Sequence, residues 1–301
     1  VELVRIGVDI GGTKTDAVVI GDETVLMQRA RSVTGFGSQA VVETAVSAIS
    51  HVASLAGTPV AGFDSIGIGI PGMVDGHTGG VRHAVNLGFD ALELGAELQS
   101  RLGVRVQVEN DVKAAALGAY HLLGLASSMA YLNLGTGLAA GIVVDGELWR
   151  GARATAGEIG HIPVDPNGLS CPCGQRGCLE TVASGSGIAR QWPTEDPHPV
   201  RDVFRAARAG DAAAMRIRGS LADGVASAVR ILVLTADVET VVIGGGLSHL
   251  GEELMVEVRA VLTTWAESSL FLASLDLPSR MRVTPENTPA AAIGAALIGA
   301  V

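Results

Sequence analysis

The sequence predicts an α/β protein built on one plan used twice. Apolar stretches of strand character alternate with longer stretches of helical spacing along the 301 residues, the pattern of mostly parallel sheets flanked by helices. A strand, a Gly/Thr turn and a returning strand open the chain at VRIGVDI and GGTKTDAVVI, and the same order recurs at MAYLNL and GTGLAAGIVVD. Composition agrees: 48% hydrophobic residues and 40 glycines with only 3% aromatics point to a core of Ala, Val, Leu and Ile crossed by tight turns.

The elements follow in order. After the opening hairpin, a third short strand is expected near Thr24–Gln28. Val42, Val46, Ile49 and Val52 recur at helical spacing until Gly57 and Pro59 end the segment. Ser65–Ile70 reads as a strand stopped by Pro71-Gly72, and Val104, Val106 and Val108 alternate as a strand with one buried face does. Asn110–Leu123 is Ala/Leu-rich and helical. The second half adds GELWRG as its third strand, with Asp145-Gly146 as the hairpin turn. Trp192–Pro199, with three prolines, is expected to be a surface loop, Asp211–Leu234 a long helix, and Glu239–Ile243 a strand running into Gly244-Gly245-Gly246. Pro289–Ala300 reads as a small-residue helix with proline near its start. The boundary between the halves is expected near Tyr120–Ser127, giving domains of residues 1–120 and 121–288.

Net charge is −10 and no long Lys/Arg run is present, which disfavours a nucleic-acid partner. The N-terminal segment has strand character rather than that of a signal peptide, and no uninterrupted apolar run is long enough to span a bilayer. With three cysteines in one loop, a reducing compartment and a cytoplasmic location without a membrane partner are expected.

Three glycine turns are candidates for phosphate contact. Asp9-Ile10-Gly11-Gly12-Thr13-Lys14 lies at a strand-to-turn junction, where backbone N–H groups can approach phosphate oxygens, Thr and Lys add donors, and Asp9 can hold Mg²⁺. A plain hairpin explains that stretch equally well by itself; the matching Gly135-Thr136-Gly137 in the second half favours function. Gly244-Gly245-Gly246 is a third such turn, or simply a strand-to-helix connection. Glu109-Asn110-Asp111 closes an alternating strand and opens a helix, so one of the three is a helix cap. In α/β sheets that end of a strand is also where ligands bind, and an Asp there can take a proton from a hydroxyl that accepts phosphate, with Asn110 orienting the same substrate.

All the cysteines, Cys171, Cys173 and Cys178, share a loop with His161 ten positions upstream. Three thiolates and an imidazole complete a tetrahedral zinc set with no position left for chemistry, so the metal is expected to be structural. A disulfide is the rival reading, weakened by the odd count and the short Cys171–Cys173 spacing. Glu158 and Glu180 bracket the set, and carboxylates with an imidazole suit a polyol.

Together, DIGGTKT, GIPG at Gly69–Gly72, END at Glu109–Asp111, LGTG at Leu134–Gly137, AGEIGH at Ala156–His161, CPCGQRGCLE at Cys171–Glu180 and IGGGLS at Ile243–Ser248 resemble the ROK family of sugar kinases and sugar-responsive repressors. The resemblance spans nearly the whole chain. It implies two ribonuclease-H-like domains of the actin, hexokinase and Hsp70 ATPase fold around a cleft, the first completed by a C-terminal helix over 289–301. It implies an ATP-dependent hexokinase of carbohydrate metabolism using Mg²⁺, with glucose the first choice (a glucokinase) and N-acetylglucosamine or N-acetylmannosamine second. By motif, Asp111 would be the base toward the sugar 6-hydroxyl. Gly72, Asn86, Asn110, Glu158, His161 and Glu180 would bind the sugar. Asp9, Gly11, Gly12, Thr13, Lys14, Thr136 and Gly137 would serve the phosphates and their metal, and Gly245 and Gly246 the nucleoside. Zinc would sit on His161, Cys171, Cys173 and Cys178. Glu158 resembles glucokinases and N-acetylglucosamine kinases, where some N-acetylmannosamine kinases carry His. A homodimer or homotetramer is implied. A sugar-sensing regulator is the rival class, for which the DIGGTKT segment at Asp9 leaves no preceding helix-turn-helix. The chain departs from the family at Lys113, where Asn is common, and Lys113 is expected to be solvated on its helix.

Overall fold

The computed structural model describes residues 3–285 and 287–299. The first strands and helices are β1 (Arg5–Ile10), β2 (Lys14–Ile20), β3 (Leu26–Val33), α1 (Ser38–Leu55), β4 (Ser65–Ile70), β5 (Met73–Asp75), β6 (Gly80–Ala84), β7 (Phe89–Leu92), α2 (Leu94–Leu102), β8 (Gln107–Asn110) and α3 (Asp111–Leu122). There follow β9 (Met129–Leu134), β10 (Leu138–Val144), β11 (Glu147–Leu148), α4 (Gly185–Gln191), α5 (Pro199–Arg208), α6 (Ala212–Ala236), β12 (Thr240–Gly244), α7 (Glu252–Ser268), α8 (Leu270–Leu275), β13 (Met281–Val283) and α9 (Ala290–Ile298).

The doubled plan read from sequence is present. One sheet runs β3-β2-β1-β4-β8 and the other β11-β10-β9-β12-β13, so the opening strand of each half is flanked by its hairpin partner and by a later strand. β1 pairs antiparallel with β2 and parallel with β4, and β12 pairs parallel with both β9 and β13. The chain separates into two compact units. One comprises Val1–Ala126, Gly141–Ala156 and Asn287–Val301; the other comprises Ser127–Ala140 and Gly157–Glu286.

In the first unit, period-two alternation sends the two faces of the sheet to different partners. Ile6, Val8, Ile10, Ile66, Ile68, Ile70, Val106 and Val108 form one core with Val41, Val42, Ala45, Ile49 and Val52 of α1 and Leu94 and Leu98 of α2. The opposite face carries Gly7 and Gly67, and α9 lies directly on them. A Cβ at Gly7 would fall 1.9 Å from the Ala292 carbonyl oxygen, and one at Gly67 would fall 1.8 Å from that of Ala295. Gly118 of α3 and Gly294 of α9 meet just as closely, at 1.9 Å from Ala290 O and 1.7 Å from Ala114 O. The absence of side chains at these four positions is what lets α9 lie against sheet and helix.

Several elements differ from the sequence expectation. Asp22–Thr24 form a 3-10 turn, so the third strand starts at Leu26 and runs eight residues. The small sheet β5-β6-β7 was not anticipated, because its strands are only three to five residues long and β6 and β7 do not alternate between buried and exposed positions. GELWRG pairs only through Glu147 and Leu148. Pro199 starts α5 rather than ending a loop, and Ala300 lies outside the described residues. By length and composition α6 alone among the described helices is apolar enough to cross a membrane, although half of that stretch is buried inside the protein, as in a core helix.

Candidate active site

In the first unit, Gly11–Thr13 turn β1 into β2, closed by the Gly11 N–H donating to the Lys14 carbonyl at 3.0 Å. Gly12, Thr13 and Lys14 are exposed. Asn86 lies beside this turn: a Cβ on Gly12 would sit 3.5 Å from the Asn86 carbonyl oxygen. Asn86, assigned to the sugar by resemblance alone, is thus next to the first glycine turn.

β8 delivers Glu109 and Asn110 to the N-terminus of α3. Asn110 is the cap: its Oδ1 accepts the Val112 and Lys113 N–H groups at 3.0 and 3.1 Å, and its Nδ2 donates to the Gly72 carbonyl at 3.1 Å. One amide proton is then left for a ligand. Gly72 holds a φ of +115°, a conformation that side chains other than glycine rarely adopt. Asp111 is the first residue of α3, and its Oδ1 accepts the Val112 N–H at 2.9 Å.

Asp9 lies directly across the β1–β2 ladder from Asp16. Arg29 grips Asp16 through Nε and Nη2 at 2.9 and 2.6 Å, and Arg31 adds a third contact at 3.0 Å. Asp9 has no ion pair among the described residues. Burial, then the carboxylates of Asp111 and Asp16, push it up to about 8 against the pull of Lys14. A carboxylate repelled in this way by its neighbours is a donor that a divalent cation would relieve, so Asp9 fits Mg²⁺.

In the second unit, Gly135-Thr136-Gly137 forms the β9–β10 turn, closed by the Gly135 N–H on the Gly137 carbonyl at 3.0 Å. Glu180 stands against it, its Oε2 accepting the Leu138 N–H at 3.1 Å. A Cβ at Gly137 would lie 2.6 Å from that oxygen. The third glycine turn meets the same strand end: a Cβ at Gly245 would lie 2.6 Å from the Leu134 carbonyl oxygen, whereas Gly246 faces open space. Gly157, at φ +96°, would press a Cβ to 1.8 Å from the Ala140 carbonyl oxygen, so the glycine opening GEIGH is a backbone requirement. Glu158 follows it, exposed, with no side-chain partner among the described residues.

One ligand atom from each of His161, Cys171, Cys173 and Cys178 lies within 4.8 Å of the others. Cys173 and Cys178 sulfurs are 3.6 Å apart, and Cys171 Sγ is 3.9 Å from His161 Nδ1. Four donors at these separations suit one tetrahedral ion, and three soft sulfurs with one imidazole select zinc. The thiols titrate unequally without metal: hydrogen bonds from Gln175 draw Cys173 down to about 6, while burial pushes Cys178 up to about 12. All three cysteines are free thiols, so the disulfide alternative is not realised. With Nδ1 turned to the sulfurs, His161 keeps Nε2 for another partner.

The profile of the ROK family matches residues 5–300. The chain belongs to the ROK family. Its fold is accordingly the α/β actin/hexokinase type with two lobed domains. A glucokinase of Halalkalibacterium halodurans is 35% identical over 282 residues, covering 87% of this chain and 86% of that protein. The ROK hexokinase structure from Thermus thermophilus superposes with a TM-score of 0.80 at 31% identity, covering 99% and 98% of the two chains. The ROK glucokinase of Streptomyces griseus, solved with glucose and AMPPNP, gives 0.79 at 29% identity over 98% and 99%.

One expectation about this ROK chain is overturned. Lys113 is not solvated: it is 4% exposed, and its Nζ donates to the carbonyl of Ala154. The face of α3 that bears it is closed by the 150–156 segment and by β10, where Gly141 lets the strand pass (a Cβ there would be 3.2 Å from Lys113 Cα). Sequence reasoning also missed two supporting groups. Gln175 Nε2 donates to the His161 carbonyl at 3.0 Å and lies 3.5 Å from Cys173 Sγ; its place between ligand cysteines was the available signal. Arg150 Nε donates to buried Glu109 Oε2 at 2.6 Å, a pairing 41 residues apart that no local pattern announces.

Proposed function

We propose that this chain is an ATP-dependent hexokinase transferring the γ-phosphate of ATP to the 6-hydroxyl of an aldohexose, glucose first. The observation that carries the reading is the proximity of Asp111, at the start of α3, to Asp9, at the end of β1, close enough for each charge to disfavour the other. One carboxylate serves the proton and the other a cation. Asp111 accepts the hydroxyl proton as the sugar oxygen attacks the γ-phosphorus; an O–P bond forms, and the bond to the ADP oxygen breaks. Mg²⁺, when bound, supplies neutralisation of phosphate charge, and Asp9 would hold it. Gly11, Gly12, Thr13, Lys14, Thr136 and Gly137 present N–H groups and side-chain donors to the phosphates, and Gly245 and Gly246 leave room for the nucleoside. Gly72 lines the sugar pocket, where Asn86, Asn110 Nδ2, Glu158, Glu180 and His161 Nε2 meet the remaining hydroxyls. Zinc on His161, Cys171, Cys173 and Cys178 orients His161 and takes no chemical part. The Streptomyces griseus relative, solved with a hexose and an ATP analogue, supports the substrate pair. A cytoplasmic homodimer or homotetramer is the expected form.

A coupled assay of ADP release over glucose, N-acetylglucosamine, N-acetylmannosamine and mannose tests this, with formation of the sugar phosphate measured directly when polyphosphate replaces ATP. Glucose is expected to give the highest kcat/KM. Preference for an N-acetylated sugar keeps the kinase and moves its substrate; sugar-dependent DNA retardation without turnover of any hexose replaces it with a regulator. Asp111→Asn should lower kcat by about 10²–10⁴-fold while sugar and zinc binding persist. Unchanged turnover would remove Asp111 from the base role.

A further inference from the structure

A cavity of about 720 Å³ lies wholly within the first unit, and none of the residues assigned above to sugar, phosphate, nucleoside or zinc lines it. Its wall is built from β5, β6 and the turn between them, the edge strand β8, the segment 150–154 and the end of α9. Four arginines converge on it: Arg82, Arg105, Arg150 and Arg153. Only Arg150 is paired, with Glu109, which is itself 2% exposed. Arg82, Arg105 and Arg153 have no hydrogen bond or ion pair among the described residues. The remaining acids of the wall are Asp75, whose Oδ1 is taken by the His77 and Thr78 N–H groups, and Glu93. A concentration of unpaired guanidinium groups in a chain of net charge −10 calls for an explanation.

We propose that this cavity binds a small phosphate-bearing metabolite. Guanidinium forks match phosphate oxygens two at a time and hold them more firmly than ammonium groups do. A concave site of this volume suits a small molecule rather than an extended polyanion, and the overall negative charge disfavours nucleic acid. Asp75 and Glu93 are acceptors for hydroxyl groups, so the preferred ligand is the phosphate ester of a polyol over free phosphate. The site adjoins the chemistry through one residue: Glu109 accepts the Asn110 N–H at 2.9 Å through Oε1 and Arg150 through Oε2. An anion that draws on Arg150 therefore acts on the turn that presents Asp111. Binding itself does not depend on the kinase reading.

Calorimetric titration of the whole protein at constant ionic strength tests the site, with saturating ADP present to fill nucleotide phosphate positions. The probes are glycerol 3-phosphate, inorganic phosphate and glycerol. Glycerol 3-phosphate should bind saturably, more tightly than inorganic phosphate, and glycerol should not bind. Arg105→Gln/Arg153→Gln should weaken glycerol 3-phosphate by about tenfold or more, whereas Asp111→Asn should leave its affinity unchanged. Both arginines are exposed and unpaired, so the unliganded Tm of the double variant should match the parent; Arg82→Gln provides a second, single-site check. Equal affinity for phosphate and its ester would reduce the ligand to the free anion. No saturable binding, or binding indifferent to all three arginines, would overturn the site.

Discussion

Asp9 shows how a single position can be ordinary by pattern and unusual by environment. It lies next to the last residue of β1, faces Asp16 across the ladder and lies near Asp111, yet the two arginines that neutralise Asp16 make no ion pair with it. Its pKa, raised from 3.8 to about 8, fixes the sign of a pH effect. Between those values the folded protein holds a proton that the unfolded chain has released, so this residue's contribution to stability falls as pH rises from about 4 to about 8. In metal-free buffer, the Tm of the parent relative to Asp9→Asn should therefore decline from pH 5 to pH 8. Mg²⁺ should raise the parent's Tm more at pH 8 than at pH 5, and should do little for the variant. A parent-minus-variant difference that stays flat across this range would show that Asp9 is ionised throughout. Lys113 makes a related point: its charge was visible in the sequence, but that it would be buried against the Ala154 carbonyl was not.

At the scale of elements, short glycine turns and the cysteine loop are held by backbone contacts that tolerate little change. The loop from Cys171 to Cys178 contains no regular helix or strand of its own and is joined to its surroundings by isolated bridges at Pro163–Cys178 and Ser170–Arg176. Four ligands drawn to one ion then supply what repeating hydrogen bonds do not. One zinc per chain is expected by elemental analysis. Its removal by a chelator at neutral pH, or Cys178→Ser, should lower Tm by roughly 5–10 °C and loosen the 3-10 turn that carries Glu180. A chelated protein with unaltered Tm would deny the metal a structural role. The Gly137–Glu180 and Gly245–Leu134 approaches belong to this scale too, since each pins a turn to its neighbour through the absence of a side chain.

For the molecule as a whole, the decisive feature is that each unit is assembled from separate chain segments. The first unit needs its last segment: α9 covers Gly7 and Gly67 on the sheet and Gly118 on α3, and Ala292, Ala295 and Ala296 are fully buried there. A chain ending at residue 286 should expose that seat and lose the cooperative unfolding of the first unit. Hydrogen exchange would read this as lost protection in β1 and β4 while β9 and β12 keep theirs. Retained protection in β1 would mean that the sheet is stable without its helix. The candidate groups divide between the units as well. Asp9, Gly12, Gly72, Asn86, Asn110 and Asp111 belong to the first; Thr136, Gly137, Glu158, His161, Glu180 and Gly245 belong to the second.

Periodicity and turn chemistry are local, and what they determine the sequence determined by itself: the α/β class, the doubled strand–turn–strand opening, the strand Ser65–Ile70, the helices α3 and α6, and the cluster of three thiols and one imidazole. Contacts between residues far apart in the chain have no local signature. The β5-β6-β7 sheet, the Arg150 pair with Glu109, the burial of Lys113, the use of Asn110 as a cap tied to Gly72, and the glycine seat for α9 were therefore decided only when tertiary packing brought their partners together. The same distinction runs through the site: residue types announced which groups could do chemistry, but the raised pKa of Asp9 depends on burial and on neighbours 7 and 102 positions away, a property that belongs to the fold and to no segment of the chain.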